Sequence, residues 1–237
     1  VLQAFYETFH GPDAPPILRV GLTEAELIKY ASNAFLAMKI SFANSIARLC
    51  QRIPGADVVT VMEGIGLDKR IGKEFLRAGL GWGGSCFPKD LRALLRLSRS
   101  LGVDLPLVEA TIKVNEEQPL TALELAREAL GDLKGKRIAL LGLAFKPGTD
   151  DIRDAVSLRI IGALLAEGAE VVVYDPRAMG NVRSIFGDLI AYASSALEAL
   201  EGADCCILVT EWPEFSGLRP EDFLKLMRRP LLVAGRR

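Results

Sequence analysis

Short apolar runs alternate with helix-like segments between residues 136 and 234, and this alternation limits the possible folds more than any other feature. Strands that are apolar along their whole length are typical of a parallel sheet covered on both faces. Because strands that alternate with helices join in parallel, we predict an α/β fold with a doubly wound parallel sheet. The predicted strands are 136–142, 170–175, 204–210 and 230–234, and the predicted helices are 157–167, 194–200 and 224–227.

The preceding segment, 22–134, has a different hydrophobic pattern, because successive helical patterns occur there without strand-like runs between them. Thr23 and Glu26 form a capping box, which predicts a long helix from that point to the stop at Pro54. This helix is apolar almost all round, so we expect it to be buried, including against a second subunit. Shorter helices are predicted at 56–64, 88–101 and 106–118, with another after Pro119 that ends at 130. We therefore predict an all-helical domain for 22–134 and a sheet domain for 135–237.

Composition and charge exclude several classes of function. The formal net charge is −1, which provides no basic field for nucleic acid or an anionic membrane. We find no signal peptide and no apolar stretch long enough to span a bilayer, so we expect no membrane partner. The four cysteines and His10 have no zinc-like spacing, and we expect no metal. Cys205 and Cys206 lie in an apolar run, which predicts buried strand residues in a reducing, cytoplasmic protein rather than a disulfide.

The loop after the first predicted strand differs from a dinucleotide-binding loop. It reads Gly-Leu-Ala-Phe-Lys-Pro-Gly over 142–148 and lacks the G-x-G-x-x-G pattern. Asp175, at the end of the second strand and before a proline, is either a turn residue or an acid for a ribose. Lys146 and Arg153 lie where ligands of such sheets bind, so they either hold phosphate charges or form ion pairs within a solvated loop.

The stretch GLGWGGSCFPKDL, residues 79–91, places a cysteine among four glycines and just before a predicted helix. Pro88 suits the first turn of that helix, so the Cys86 thiol is expected at its N-terminus. The helix dipole and Lys89 favour the thiolate, which is the reactive form of cysteine. Asp90 could act as a base or orient a water molecule. The alternative is that Cys86 is a small buried apolar residue.

Lys29 and Asn33 are four residues apart on the long helix and therefore share a face. An ammonium and an amide side by side on a buried helix need partners. They either form a packed polar pair between helices or stabilise a developing oxyanion beside the cysteine nucleophile.

Three motifs together give the chain a family resemblance. They are Gly-Trp-Gly-Gly-Ser-Cys-Phe-Pro-Lys-Asp over 81–90, Glu-Leu-Ile-Lys-Tyr-Ala-Ser-Asn-Ala-Phe over 26–35, and Gly-Leu-Ala-Phe-Lys-Pro-Gly-Thr-Asp-Asp-Ile-Arg over 142–153. In this order they resemble the UDP-glucose/GDP-mannose dehydrogenase family, and its UDP-glucose 6-dehydrogenases in particular. The resemblance implies a helical central domain that forms a homodimer and a C-terminal Rossmann-like domain for a UDP-sugar. Residues 1–21 would be the remnant of an N-terminal NAD-binding domain, and the chain a fragment.

The resemblance also implies a mechanism with NAD as the cofactor. The C6 alcohol of UDP-glucose would be oxidised to the carboxylate of UDP-glucuronate in two hydride transfers. Cys86 would form a thiohemiacetal and then a thioester that water hydrolyses. Lys29 and Asn33 match the residues that stabilise the oxyanion, and Asp90 the one that assists water and proton transfer.

Contacts to substrate and cofactor are implied by the same resemblance. The substrate-binding residues would be Lys29, Asn33, Arg70, Phe75, Leu76, Arg77, Ala78, Gly79, Gly83, Phe145, Lys146 and Arg236. Arg70 would reach across the dimer. Ala234 departs from the family pattern before Arg236. Lys89 and Arg153 match residues that touch NAD.

Three alternatives stay open at this point. The substrate could be GDP-mannose or UDP-N-acetylmannosamine. A dehydrogenase of the hydroxyacid or 6-phosphogluconate type would use a lysine and an asparagine without a cysteine nucleophile. The chain could also be a sugar-nucleotide binding or dimerisation module without activity. As a fragment, it is expected to bind NAD poorly and to turn over little or not at all.

Overall fold

The computed structural model describes residues 1–235, and its first part is helical. The helices are α1 (Leu2–His10), α2 (Leu22–Cys50), α3 (Val58–Gly66), α4 (Phe87–Ser100), α5 (Pro106–Glu117) and α6 (Leu120–Leu130). Pro119 separates α5 from α6, as predicted from its missing N–H. In the described part of the chain, no helix is both long enough and apolar enough to cross a membrane.

The long helix α2 organises this part, because α3, α4 and α5 all pack against it. Small side chains such as Ala34, Ala37 and Ala43 are buried on it and allow the neighbouring helices to approach closely. The predicted capping box is wrong. The helix begins one residue before Thr23, with Gly21 at the N-cap and no side-chain cap, so the threonine lies inside the first turn.

The second part is a parallel sheet with helices between its strands. The strands are β1 (Arg137–Leu141), β2 (Glu170–Tyr174), β3 (Ala191–Tyr192), β4 (Cys205–Leu208) and β5 (Leu232–Ala234), and the helices are α7 (Val156–Ala166), α8 (Met179–Phe186), α9 (Ala196–Leu200) and α10 (Pro220–Leu226). Within residues 1–235 the strand order is β3-β2-β1-β4-β5, and every pair is parallel. The predicted fold class is therefore confirmed. The sequence patterns missed only α8 and the two-residue edge strand β3.

The main core lies in this sheet and under its helices. Ile138, Leu140 and Ile207 have no exposed surface, and each such side chain contributes about 1.5–3 kcal/mol by its burial. Cys205 and Cys206 are also buried and free, as predicted. Burial raises the pKa of the Cys205 thiol to about 12 and also raises that of Cys206, so both are inert core residues.

Candidate functional site

Residues 79–86, the cysteine loop, end at the start of α4, where Cys86 is the N-cap residue and Pro88 lies in the first turn. The thiol is exposed, which contradicts the alternative of a buried apolar cysteine. Its sulfur lies 3.7 Å from the Ser85 hydroxyl. The backbone N–H of Asp90 donates to the Cys86 carbonyl at 2.9 Å, so the carboxylate stands one helical turn after the thiol.

The Asp90 side chain binds two other predicted catalytic residues, Lys29 and Asn33. It is fully buried, and its Oδ2 accepts hydrogen bonds from Lys29 Nζ at 2.7 Å and Asn33 Nδ2 at 2.6 Å. Lys89 donates to Oδ1. Burial by itself would raise the pKa of the Asp90 carboxyl, but the hydrogen bonds from Lys29, Lys89 and Asn33 outweigh it and lower the pKa to about 2. At neutral pH the site therefore holds an ionised carboxylate between two ammonium groups.

Two exposed cations lie close enough to the thiol to respond to its charge. The hydrogen bond to Asp90 is the main reason why the pKa of Lys89 is raised, and a negative charge on Cys86 adds to it. The pKa of Arg153 is raised in the same way, first by Asp151 and then by Cys86. The loop after β1 thus carries a positive charge that interacts with the charge of a cysteine in the helical part.

Buried amide side chains hold the backbone of the cysteine loop, and sequence reasoning identified neither Asn115 nor Gln118 as a site residue. Asn115 on α5 accepts from Trp82 N at 2.7 Å and donates to Trp82 O at 2.9 Å, as a neighbouring strand would. Gln118 donates to the Gly79 carbonyl at 2.8 Å, and Asn44 on α2 accepts from Gly79 N at 2.7 Å. The available signal was the position of these amides on otherwise apolar helix faces.

The loop after β1 packs directly against the cysteine loop. Gly84 N donates to the Arg153 carbonyl at 2.9 Å. The Phe145 ring lies over Gly84, where φ is +85° and an added Cβ would stand 2.7 Å from a ring carbon. The neighbouring Gly83 abuts the Asp154 carbonyl in the same loop. Because of these contacts, the predicted substrate contacts Gly83 and Phe145 lie together.

Two predicted arginine contacts are engaged within their own loops. Arg153 forms a two-pronged ion pair with Asp151, which matches the alternative of an ion pair within the loop. Arg70 forms a similar pair with Asp68, and its side chain is 88% exposed. A charge on Cys86 contributes to the raised pKa of Arg153, whereas the raised pKa of Arg70 is due to Asp68. Arg236 lies outside the described residues.

The segment 75–79, predicted to wrap the sugar nucleotide, runs between two large cavities. One of about 850 Å³ is lined by Phe75, Arg77 and parts of α2 and α3, and the other of about 700 Å³ by Ala78, Gly79 and the edge strand β5. These volumes suit a ligand of nucleotide size. Cys86 lines neither cavity, but the Phe75 ring lies 6.2 Å from that of Phe87, the residue after the cysteine.

Two further expectations concern the sheet and metals. Asp175 is buried, and both carboxylate oxygens accept hydrogen bonds from the protein, so it is a turn-forming residue and not an acid for a ribose. Among residues 1–235, no group of three or more His, Cys, Asp or Glu side chains could hold a metal ion. Lys146 is exposed, and its ammonium lies 5.4 Å from the centre of the Phe145 ring.

The fold and the site together define an α/β protein in which an exposed cysteine precedes, by one helical turn, a buried aspartate that binds a lysine and an asparagine. Comparison with known proteins identifies its family. The central-domain model of the UDP-glucose/GDP-mannose dehydrogenase family matches residues 23–117, and the UDP binding domain model of the same family matches 139–237. The chain therefore belongs to the UDP-glucose/GDP-mannose dehydrogenase family.

Individual relatives agree. The chain is 52% identical to the UDP-glucose 6-dehydrogenase AglM of Haloferax volcanii over 94% of this chain and 51% of that protein. It is 45% identical to TuaD, a UDP-glucose 6-dehydrogenase of Bacillus subtilis, over 98% and 50%. A solved UDP-glucose dehydrogenase from Pyrobaculum islandicum superposes with a TM-score of 0.89 and 42% identity, covering 99% of this chain and 52% of that one. The chain spans about half the length of these relatives.

Proposed function

We propose that these residues form the UDP-sugar site and the thiol-bearing part of an NAD-dependent UDP-glucose 6-dehydrogenase. The reaction oxidises the C6 alcohol of UDP-glucose to a carboxylate and removes four electrons as two hydrides. The observation that carries the proposal is the exposed Cys86 at the start of α4, one turn before the carboxylate that binds Lys29 and Asn33. The family and the names of the relatives support the same substrate.

NAD⁺, when bound, accepts the hydride in each of the two oxidations. The residues present fit the negatively charged part of this cofactor. Lys89 and Arg153 are exposed cations near the thiol, and they could hold the negative charges of NAD⁺. The loop after β1 lacks the glycine fingerprint of a dinucleotide site. Because the relatives are about twice as long, we propose that their other half corresponds to the dinucleotide fold and that these residues alone turn over little.

Cys86 acts at the aldehyde level of the substrate. Its thiolate forms a bond to C6, and the carbonyl electron pair moves to the oxygen, which gives a thiohemiacetal alkoxide. The Lys29 ammonium has three N–H donors and the Asn33 amide has two, and Asp90 occupies one of each. The remaining donors are available to the alkoxide, which is the oxyanion role predicted from the sequence.

Loss of the second hydride from C6 leaves a thioester on Cys86. Water adds to the thioester carbon and gives one proton to solvent, the C–S bond breaks and the thiolate leaves, and the resulting carboxylic acid gives the second proton to solvent. The low pKa of Asp90 means that this carboxyl has no proton to supply at neutral pH. We therefore assign Asp90 to holding Lys29 and Asn33 and, through the remaining donors of these two residues, to orienting the attacking water.

The test of the mechanism is Cys86→Ser in the complete enzyme, with Cys205→Ser as the control because Cys205 is a buried thiol of strand β4 and lies in the core of the sheet. UDP-glucose affinity should stay within threefold, while formation of UDP-glucuronate falls at least a thousandfold. Retention of the second oxidation by the serine variant would favour a 6-phosphogluconate-type mechanism and reject this one.

Substrate choice is tested separately on the 237-residue chain by isothermal titration calorimetry. UDP-glucose should bind at least tenfold more tightly than GDP-mannose. Equal affinities, or tighter binding of the GDP-sugar, would contradict the assignment of the nucleotide.

We also propose a homodimer through α2. Ile28, Phe35, Phe42 and Leu49 recur every seven residues along this helix, and each is about half exposed in the single chain. A period of seven is typical of the seam between two packed helices. Sedimentation equilibrium should show a dimer for the natural chain and a monomer for the Phe35→Lys/Phe42→Lys variant; a monomeric natural chain would refute the interface.

A further inference from the structure

The loop that follows β1 is held by a carboxylate from the neighbouring strand. Asp175 is the first residue after β2 and is 1% exposed. Its Oδ2 accepts hydrogen bonds from the backbone N–H groups of Leu143 at 2.6 Å and Ala144 at 3.1 Å, and from the Trp212 indole at 2.9 Å. Its Oδ1 accepts from the turn that follows it. Both oxygens are therefore used inside the protein.

The carbonyl groups of the same two loop residues are also fixed by side chains. Thr210, just beyond β4, donates from its hydroxyl to Ala144 O at 2.6 Å, and Ser157 on α7 donates to Leu143 O at 2.6 Å. Leu143 and Ala144 thus have every backbone polar group bound, by one residue after β2, one after β4 and one on α7. Their conformation is set by three neighbouring elements and not by the local sequence.

The next residue, Phe145, connects these fixed loop residues to the cysteine loop. Phe145 N donates to Asp151 O at 3.0 Å, which closes the loop. The Phe145 ring packs on Gly84, two residues before Cys86. A continuous set of contacts therefore runs from Asp175 through the loop backbone and the ring to the thiol-bearing segment.

We propose that Asp175 is a positioning residue of the active site. It fixes the loop that carries Phe145 and Lys146 and, through the packing of Phe145 on Gly84, fixes the backbone that presents Cys86. One buried carboxylate thereby holds the UDP-sugar contacts and the thiol in a single arrangement. The inference rests on the proposed function, because it takes Phe145 and Lys146 as contacts of the UDP-sugar.

The simpler alternative is that Asp175 only stabilises the sheet, and Asp204 provides the matched control. Asp204 is 2% exposed and precedes β4, at the opposite end of the strands. It accepts from Arg137 N at 2.9 Å and from Arg228 at 3.2 Å. Asp175→Asn and Asp204→Asn each remove one buried charge from the same sheet, but only the first lies at the loop.

The experiment measures two quantities for both variants of the 237-residue chain, after circular dichroism has shown that they are folded. The first is the dissociation constant of UDP by calorimetry, and the second is the rate at which iodoacetamide alkylates Cys86, followed by mass spectrometry. Asp175→Asn should lower UDP affinity at least tenfold and change the alkylation rate at least threefold. Asp204→Asn should stay within twofold in both.

Several outcomes would overturn the proposal. If Asp175→Asn behaves like Asp204→Asn in both measurements, Asp175 is only structural. If it loses UDP affinity at an unchanged alkylation rate, the coupling to Cys86 is refuted. If Asp175→Asn does not fold, the same two measurements are made on Thr210→Val, which removes the hydrogen bond to the Ala144 carbonyl while the side chain keeps its shape. Unchanged alkylation and unchanged UDP binding in Thr210→Val would then overturn the proposal. A natural chain that does not bind UDP contradicts the proposed function, while the alkylation rates still test the positioning role.

Discussion

Replacement of Asp90 by asparagine tests the electrostatic centre of the site. The carboxylate has no exposed surface and accepts hydrogen bonds from Lys29, Asn33 and Lys89, which lower its pKa from 3.8 to about 2. Each unit of pKa shift corresponds to about 1.4 kcal/mol, so the full shift would stabilise the folded state by about 2.5 kcal/mol. Both ammonium groups are more than half exposed, and screening by water reduces this to about 1–2 kcal/mol.

The sign of the pH dependence follows from the direction of the shift. Because folding depresses the pKa of Asp90, its contribution to stability is complete above pH 4 and is lost as the pH falls towards 2. Asp90→Asn lacks the charge at every pH. The natural chain should therefore be more stable than the variant by about 1–2 kcal/mol at pH 7, and this difference should shrink steadily between pH 4 and pH 2.5.

The assay is urea unfolding at pH 7, 5, 4, 3 and 2.5, followed by circular dichroism of the helices. Because all other carboxyl groups are common to both proteins, the difference in unfolding free energy isolates Asp90. Asp68→Asn is the control, since the Arg70 partner of Asp68 is 88% exposed and the pair should have little effect on stability. A difference that is the same at pH 7 and pH 2.5, or a variant that is more stable at pH 7, would refute the reasoning.

Two further predictions concern the cysteines and the loop contact. Iodoacetamide at pH 8 should alkylate one site per folded chain, at Cys86, because this thiol is exposed whereas Cys50, Cys205 and Cys206 are buried. Burial also raises the pKa of Cys205 and Cys206. Mass spectrometry of the tryptic peptides checks this, and early modification of any of the three buried thiols would contradict the packing. Gly84→Ala should destabilise the protein by about 1–3 kcal/mol in urea unfolding, because φ is +85° and the new Cβ meets the Phe145 ring; a variant as stable as the natural chain would show that the two loops do not pack.

Much of the fold could be predicted because its signals are local. Apolar runs predicted β1, β2, β4 and β5, since a strand buried on both faces needs apolar side chains at every position. The edge strand β3 was missed because two residues carry too little pattern. The capping box at Thr23 was misplaced because the side-chain types of a cap do not decide which residue begins the helix.

The site was predicted in part. A cysteine before a proline at a helix start is a local feature, and the position of Cys86 follows from it. The roles of its neighbours as contacts of substrate or cofactor remain predictions. Nothing local showed that Lys29 and Asn33 donate to the same oxygen of Asp90, because the residues of each pair lie 61 and 57 positions apart.

The amino-acid sequence by itself determined most of the segments that become helix or strand and that a thiol stands at a helix start, because these depend on side-chain size, polarity and spacing within a few residues. Only the tertiary structure decided which polar groups meet. The crossing of α2 and α4 brings Lys29 to Asp90, and the parallel order of the strands brings Asp175 to the loop after β1. Such contacts depend on how distant elements pack, and a buried charge is stable only where that packing supplies its hydrogen-bond donors.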